Sequence, residues 1–260
     1  MPAVRPAAVA GYFYPGDPRA LADTLESLLA AAPPARTDPK ALIAPHAGYV
    51  YSGCVAAVAY AQIAGQRHRI ERVLLLGPSH HVPFRGLALS SAARYQTPLG
   101  DVDIDSDACE ALLALPRVGI LDEAHAREHS LEVHVPFLQA TLGQFRLVPV
   151  VVGDAAPAQV AEVIEAFWDR DDTLVVVSSD LSHFLDYETA NRVDGETTRA
   201  IERLARDIRP EQACGCRPIN GLMQVADTHA LRVETLDVRN SGDTAGDRSR
   251  VVGYGAYALT

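Results

Sequence analysis

The sequence predicts an α/β fold, a single domain over residues 1–260 with a central, mostly parallel or mixed sheet flanked by helices. Three observations predict it. Short aliphatic runs of strand length alternate with stretches of helical periodicity along the whole chain. Three of those runs, Ala41–Ala44, Val73–Leu76 and Thr173–Val177, stop at turn-forming or polar residues and release a histidine just beyond. Finally, 260 residues of which 48% are apolar suffice for a full core, and no repeat or low-complexity linker divides them.

Taken in order, Asp17 reads as a helix N-cap with Pro18 in the first turn, and Leu21, Leu25, Leu28 and Leu29 give one apolar stripe. Pro33-Pro34 ends that helix. The strand Ala41–Ala44 leads through PHAGYVYSG into an alanine-rich helix from Ser52 to Ala64, and Val73–Leu76 follows as the next strand. This is the strand–helix–strand unit of a right-handed crossover. Gly86–Ser90 reads as a strand and Tyr95–Ile104 as a hairpin or edge, while Asp105 caps a helix through Leu115. Ser130–Leu142 has helical spacing interrupted by Pro136. Phe145–Val152 is strand-like, with Pro149 pointing to an edge or a bulge. Helices over Pro157–Trp168, Glu188–Ala205 and Pro218–Ala230 alternate with the strand Thr173–Val177 and the closing strands Leu231–Val238 and Val251–Leu259.

A net charge of −10 argues against a nucleic-acid footprint and against anionic membrane surfaces. No apolar run approaches the roughly 20 residues of a membrane span, and the proline-bearing start of the chain does not read as a signal peptide. The expectation is a cytoplasmic protein with no nucleic-acid or membrane partner. Four cysteines in this length make no disulfide framework. No glycine pattern of the dinucleotide-binding or Walker type appears, so no organic cofactor site is predicted.

The chemistry concentrates at the strand ends. In an open α/β sheet, ligands sit outside the carboxyl ends of parallel strands, so His46, His80 and His183 can converge if their strands are parallel. Each histidine alone is as well explained by a turn; three together point to a metal or acid–base site. Of the adjacent His80 and His81 only one can face inward, and His80 is nearer the strand end. A helical turn over Leu181–Phe184 would place Asp180 and His183 on one face, a carboxylate orienting an imidazole. Cys214 offers a thiolate, and two histidines with one anionic ligand is a pattern of both catalytic zinc and non-haem Fe(II). Glu128–His134 is dense in titratable groups without forming HExxH. It reads either as pocket lining, through His129 with Glu132 or Glu128 with Glu132, or as a solvated, capped helix. His68, His125 and His229, in polar surroundings, are expected to face solvent.

VAGYFYPGDP, APHAGYVYSG, LGPSHHVP, EHSLEVHVPFL, VVSSDLSH and the region of Cys214, in this order, resemble the Memo family over essentially the whole chain. Its bacterial and archaeal members are known as protein B of the AmmeMemoRadiSam system. Memo proteins are similar in fold to class III extradiol dioxygenases (LigB-like), which hold non-haem Fe(II) between two histidines and a glutamate. The resemblance implies His46, His80 and Cys214 as metal ligands, and His183 with Asp180 as the proton-moving pair or His183 as a fourth ligand. It implies Fe(II), or else Cu or Zn, as the cofactor. His81, His129, Glu132 and Tyr49 would line a substrate pocket. The thiol standing where the dioxygenases carry glutamate argues against ring cleavage itself. The expected activity is therefore that of a metal-dependent, oxygen-activating oxidoreductase. The alternatives are a zinc hydrolase, or a non-catalytic module binding a peptide or protein on the same cleft. Radical-SAM and AMMECR-type proteins of the same system are the implied partners, beside an unknown small molecule or peptide.

Overall fold

A computed structural model describes residues 3–260. The strand β1 (Val4–Arg5) is followed by α1 (Pro18–Ala31), whose N-cap Asp17 accepts hydrogen bonds from the backbone of Arg19 and Ala20. Leu21 and Leu25 of its apolar stripe are fully buried, each stabilising by about 1.5–3 kcal/mol. Next come β2 (Ala41–Ala44), α2 (Tyr49–Ala61), β3 (Arg72–Pro78) and β4 (Leu87–Leu89). β5 (Arg94–Thr97) and β6 (Gly100–Asp103) form the expected hairpin, and β1 pairs with its outer side. Asp105 caps α3 (Ser106–Leu112), and β7 (Val118–Ile120) and α4 (Asp122–Ala126) follow.

The helix expected over Ser130–Leu142 is divided. A single turn, α5 (His129–Glu132), and α6 (Val135–Leu142) are separated at Val133-His134, and Pro136 lies in the first turn of α6, where its missing N–H costs nothing. The chain closes with β8 (Arg146–Val152), α7 (Pro157–Glu165), β9 (Thr173–Ser178), β10 (His183–Leu185), α8 (Tyr187–Glu202), α9 (Cys216–Thr228), β11 (Val233–Asn240) and β12 (Val251–Leu259).

Among the described residues, the main sheet runs β10-β12-β2-β9-β3-β8-β4-β7, with β11 on β12. Its centre, β2-β9-β3-β8, is parallel throughout, and the flanking β12 and β4 are antiparallel to it. β9 therefore lies between β2 and β3, so the three strands that release histidines are immediate neighbours pointing the same way. Their aliphatic residues are buried on both faces, as expected for parallel strands covered by helices. Helices α1, α2 and α6 pack on one another, α9 packs on α7 and against β3 and β9, and α8 lies on β11 and β12.

Pro149 does not mark an edge, because β8 lies between β3 and β4. Arg146 donates its N–H to Glu71 on the β3 side, so Pro149, of opposite parity, would direct an N–H away from β3. There β4 pairs only with Val151 and Val152, and no ladder bond is lost. No helix among the described residues is long and apolar enough to cross a membrane.

Candidate metal centre

The carboxyl ends of β2, β9 and β3 open onto one cleft. His46 lies two residues past the end of β2 and is 2% exposed. His80 follows β3, its side chain 27% exposed. The third imidazole to meet them is His129, from the start of α5, with an 18% exposed side chain. One ligand atom from each of His46, His80 and His129 lies within 4.8 Å of the other two. His80 and His129 stack at 4.6 Å, and His46 stands edge-on to both, at 5.1 and 5.5 Å. Burial, then the proximity of further imidazoles, lowers the pKa of His46 well below the ordinary range and that of His129 to about 4. His46 and His129 are thus held as uncharged nitrogen bases beside His80.

Glu128 sets the orientation of His80. Its carboxylate accepts from the His80 Nδ1 at 2.8 Å and from the His80 backbone N–H at 2.6 Å, and also caps α5 through Ser130 N–H. Burial would raise this carboxyl, yet the hydrogen bonds and charge of His80 hold it down to about 2. A carboxylate can only accept, so Nδ1 of His80 bears a proton, and in the neutral ring the lone pair is on Nε2. Gly77 lets α5 approach this closely: a Cβ there would lie 2.8 Å from Ser130 Oγ and 2.9 Å from Leu131.

Cys214 approaches the cleft-facing edge of His46, its Sγ 3.3 Å from His46 Nε2. It does not belong to the compact set of three donors. Its sulfur accepts from Asp180 N–H at 3.3 Å, and burial followed by the charge of Asp180 pushes the thiol pKa up. Asp180 does not orient His183. Residues His183–Leu185 are extended and Phe184 adopts φ 60°, so the helical turn that would have aligned the two is absent. Asp180 instead accepts from the backbone N–H of His46 at 2.8 Å, and burial raises its pKa. His183 donates from Nδ1 to the Leu181 carbonyl at 2.9 Å, so in the neutral ring the lone pair is on Nε2. His80, His183 and Cys214 line one cavity of about 720 Å³ with Leu185, Thr189 and Arg209.

Of the residues expected to line a pocket, His81 is exposed, 6.0 Å from the His129 ring. Tyr49 and Glu132 do not line the cleft. Tyr49 packs between Tyr14 and Phe137 and donates to the Val133 carbonyl. Glu132 is fully buried, paired with Arg5, and accepts from Ala8 N–H, Val9 N–H and Tyr14 OH. It thereby ties down the segment Arg5–Tyr14, whose Phe13 ring covers His129 at 4.7 Å. His125, expected in solvent, is 1% exposed between Tyr95 OH and the Ala88 carbonyl.

Ser178 and His134 lie behind His46, Ser178 hydrogen-bonded to His46 and His134 to Ser178. Both fall within the motifs VVSSDLSH and EHSLEVHVPFL, yet sequence alone assigns neither a part in the site.

The sequence matches the family described as Memo-like protein over residues 5–258. The chain belongs to the Memo family. Similar relatives, each described as a MEMO1 family protein, come from Aquifex aeolicus (36% identity, 96% of this chain and 97% of the relative) and Methanobrevibacter smithii (34%, 96% and 98%). A third, from Sulfolobus acidocaldarius, is 32% identical over 96% of this chain and 97% of its own. Among solved structures, an uncharacterised Escherichia coli protein, JW3007, superposes with a TM-score of 0.53 at 12% identity. The match covers 82% of this chain and 98% of that one, a likeness of fold alone. The Memo family's matched region contains every residue of the cleft described above.

Proposed function

We propose that the cleft is the centre of a metal-dependent redox enzyme of the Memo family, with Fe(II), or Cu in its place, held by His46 and His80 and completed by His129 or Cys214. The observation that carries this reading is the meeting of three imidazoles, with ligand atoms within 4.8 Å, at the carboxyl edge of the parallel strands. The donor set fits such an ion. Neutral nitrogens and a thiol suit Fe, Cu or Zn and not Mg or Ca, and His80 Nε2 is held toward the cleft by Glu128.

A bound ion would supply Lewis acidity at open coordination positions. The chain does the rest. His183 takes a proton from substrate at Nε2, since its Nδ1 is committed to Leu181. Asp180 acts through its neighbours, holding the backbone of His46 and the sulfur of Cys214 in place. Phe13 keeps water from one side of His129. The 720 Å³ cavity suits a small molecule or short peptide. The same resemblance makes radical-SAM and AMMECR-type proteins the proposed partners, in the cytoplasm.

A zinc hydrolase is the second reading, favoured by the three-nitrogen set with Cys214 standing apart from it. Metal analysis of protein purified without oxygen separates the two. Near-stoichiometric iron or copper in the wild type, lost in His80→Ala and reduced in Cys214→Ser, is the expected result. Zinc alone, with oxygen-independent activity, would move the assignment to the hydrolase. No bound metal after reconstitution would overturn both and leave a binding module.

A further inference from the structure

Behind His46, away from the cleft, is a closed group of hydrogen bonds. Ser178 Oγ is 2.6 Å from His46 Nδ1, 2.8 Å from His134 Nε2 and 2.6 Å from the Ser130 carbonyl oxygen. His134 Nδ1 is in turn 2.8 Å from Tyr60 OH. All four side chains are at most 2% exposed, so no solvent completes the group.

The proton count is determinate. A serine hydroxyl has one proton and two lone pairs, and a carbonyl oxygen only accepts. Two oxygens 2.6 Å apart need a proton between them, so the Ser178 proton goes to Ser130. Both remaining contacts of Oγ must then be accepted ones, which puts a proton on His46 Nδ1 and another on His134 Nε2. The second assignment checks the first. With its proton on Nε2, His134 accepts at Nδ1, and Tyr60 OH, whose hydrogen-bond partner is this nitrogen, donates there. The opposite arrangement would strand the Tyr60 proton in an apolar site, at a cost of about 1–3 kcal/mol.

We infer that Ser178 is a positioning residue that locks His46 in the Nδ1–H tautomer, with His134 and Tyr60 as its backing, so that the Nε2 lone pair is presented to the cleft. The fold makes this natural, because Ser178 ends β9 directly opposite Ala44 of β2, two residues before His46. Glu128 does the same for His80 from a different element. The two imidazoles are thereby aimed before any ligand arrives, one by a carboxylate and one by a neutral hydroxyl. The inference rests on the metal-site reading only for what Nε2 binds.

The test is long-range ¹H–¹⁵N correlation of histidine-labelled, metal-free protein, which distinguishes protonated from unprotonated ring nitrogens. The wild type should show His46 with a protonated Nδ1 and an unprotonated Nε2. Ser178→Ala should average the two signals, and Ser178→Thr, which keeps the hydroxyl, should restore them. A Zn²⁺ titration of the same samples should show about 10–100-fold weaker binding in Ser178→Ala. A wild-type spectrum with the proton on His46 Nε2 overturns the inference without any variant, even if Ser178→Ala does not fold. An unchanged tautomer or unchanged Zn²⁺ affinity in a folded Ser178→Ala overturns it as well. Because the spectra are read without metal, a wild type that has the expected tautomer yet binds no ion would defeat the metal-site reading and leave the tautomer lock intact.

Discussion

Glu132 and His125 show how a single residue's role is decided by partners the local sequence does not name. Glu132 sits among titratable neighbours, a setting compatible with a pocket, yet its oxygens are used up by Arg5, by two backbone N–H groups and by Tyr14. Those partners are more than a hundred positions away, so no spacing rule reaches them. His125 has polar neighbours in sequence and is nevertheless enclosed, because Tyr95 and Ala88 satisfy both its nitrogens. The strand-end histidines were legible for the opposite reason: a run of aliphatic residues followed by a turn and a histidine is a local pattern. The role of Glu132 gives a direct expectation. Glu132→Ala leaves the Arg5 guanidinium without its carboxylate inside the protein and should cost about 3–5 kcal/mol in urea unfolding. Glu132→Gln, which keeps an acceptor, should cost less. A loss of ligand binding at unchanged stability would mean that Glu132 faces the cleft.

At the scale of elements, the strands and most helices were readable from alternation and caps, and the errors fall where elements meet. The division between α5 and α6 is one such place; the extended backbone at His183–Leu185 is another. Both depend on what packs above them. The entry into α9 is a third. Gly215 precedes this helix, and a Cβ there would lie 2.5 Å from the Ser178 carbonyl and 2.6 Å from Ser179 Cβ. Its N–H also donates to Ser179 Oγ at 2.9 Å. Any side chain at position 215 must push α9 off the end of β9 and carry Cys214 with it. Gly215→Ala is expected to destabilise the protein by roughly 1–3 kcal/mol. Alkylation of Cys214, followed by mass spectrometry, should also run faster than in the wild type; an unchanged rate would show that the junction yields elsewhere.

Across the whole molecule, the order β2-β9-β3 was the property the sequence could suggest only conditionally. Parallel direction followed from the strand–helix alternation, but adjacency is set by long-range pairing that composition does not record. The same architecture buries charge away from the cleft. Asp194 of α8 accepts from Ser182 N–H at 2.9 Å, and its carboxylate lies against the backbone of Gly253. Burial raises its pKa from 3.8 to about 6, although the Ser182 hydrogen bonds oppose this. The folded protein therefore binds this proton more tightly than the unfolded chain does. The resulting penalty on stability is absent below the ordinary value, grows as pH rises through the interval up to about 6, and is constant above it. Asp194→Asn removes the titration. Its stability relative to the wild type should rise across that window by up to about 3 kcal/mol, as read from denaturant midpoints at a series of pH values. A pH-independent difference would show that Asp194 is already ionised without cost.

The anchoring of the amino-terminal segment also has a consequence in time. Glu132 is made 127 residues after Arg5, and Cys214 follows His46 by 168. At elongation rates of about 5–20 residues per second the first of these gaps lasts on the order of ten seconds. Until Glu132 is made the segment that will cover His129 lacks this anchor, and His46 and His80, once made, wait for their neighbours. The cleft is consequently assembled late, from parts that wait for one another, and a nascent chain offers passing metal ions only fragments of a site.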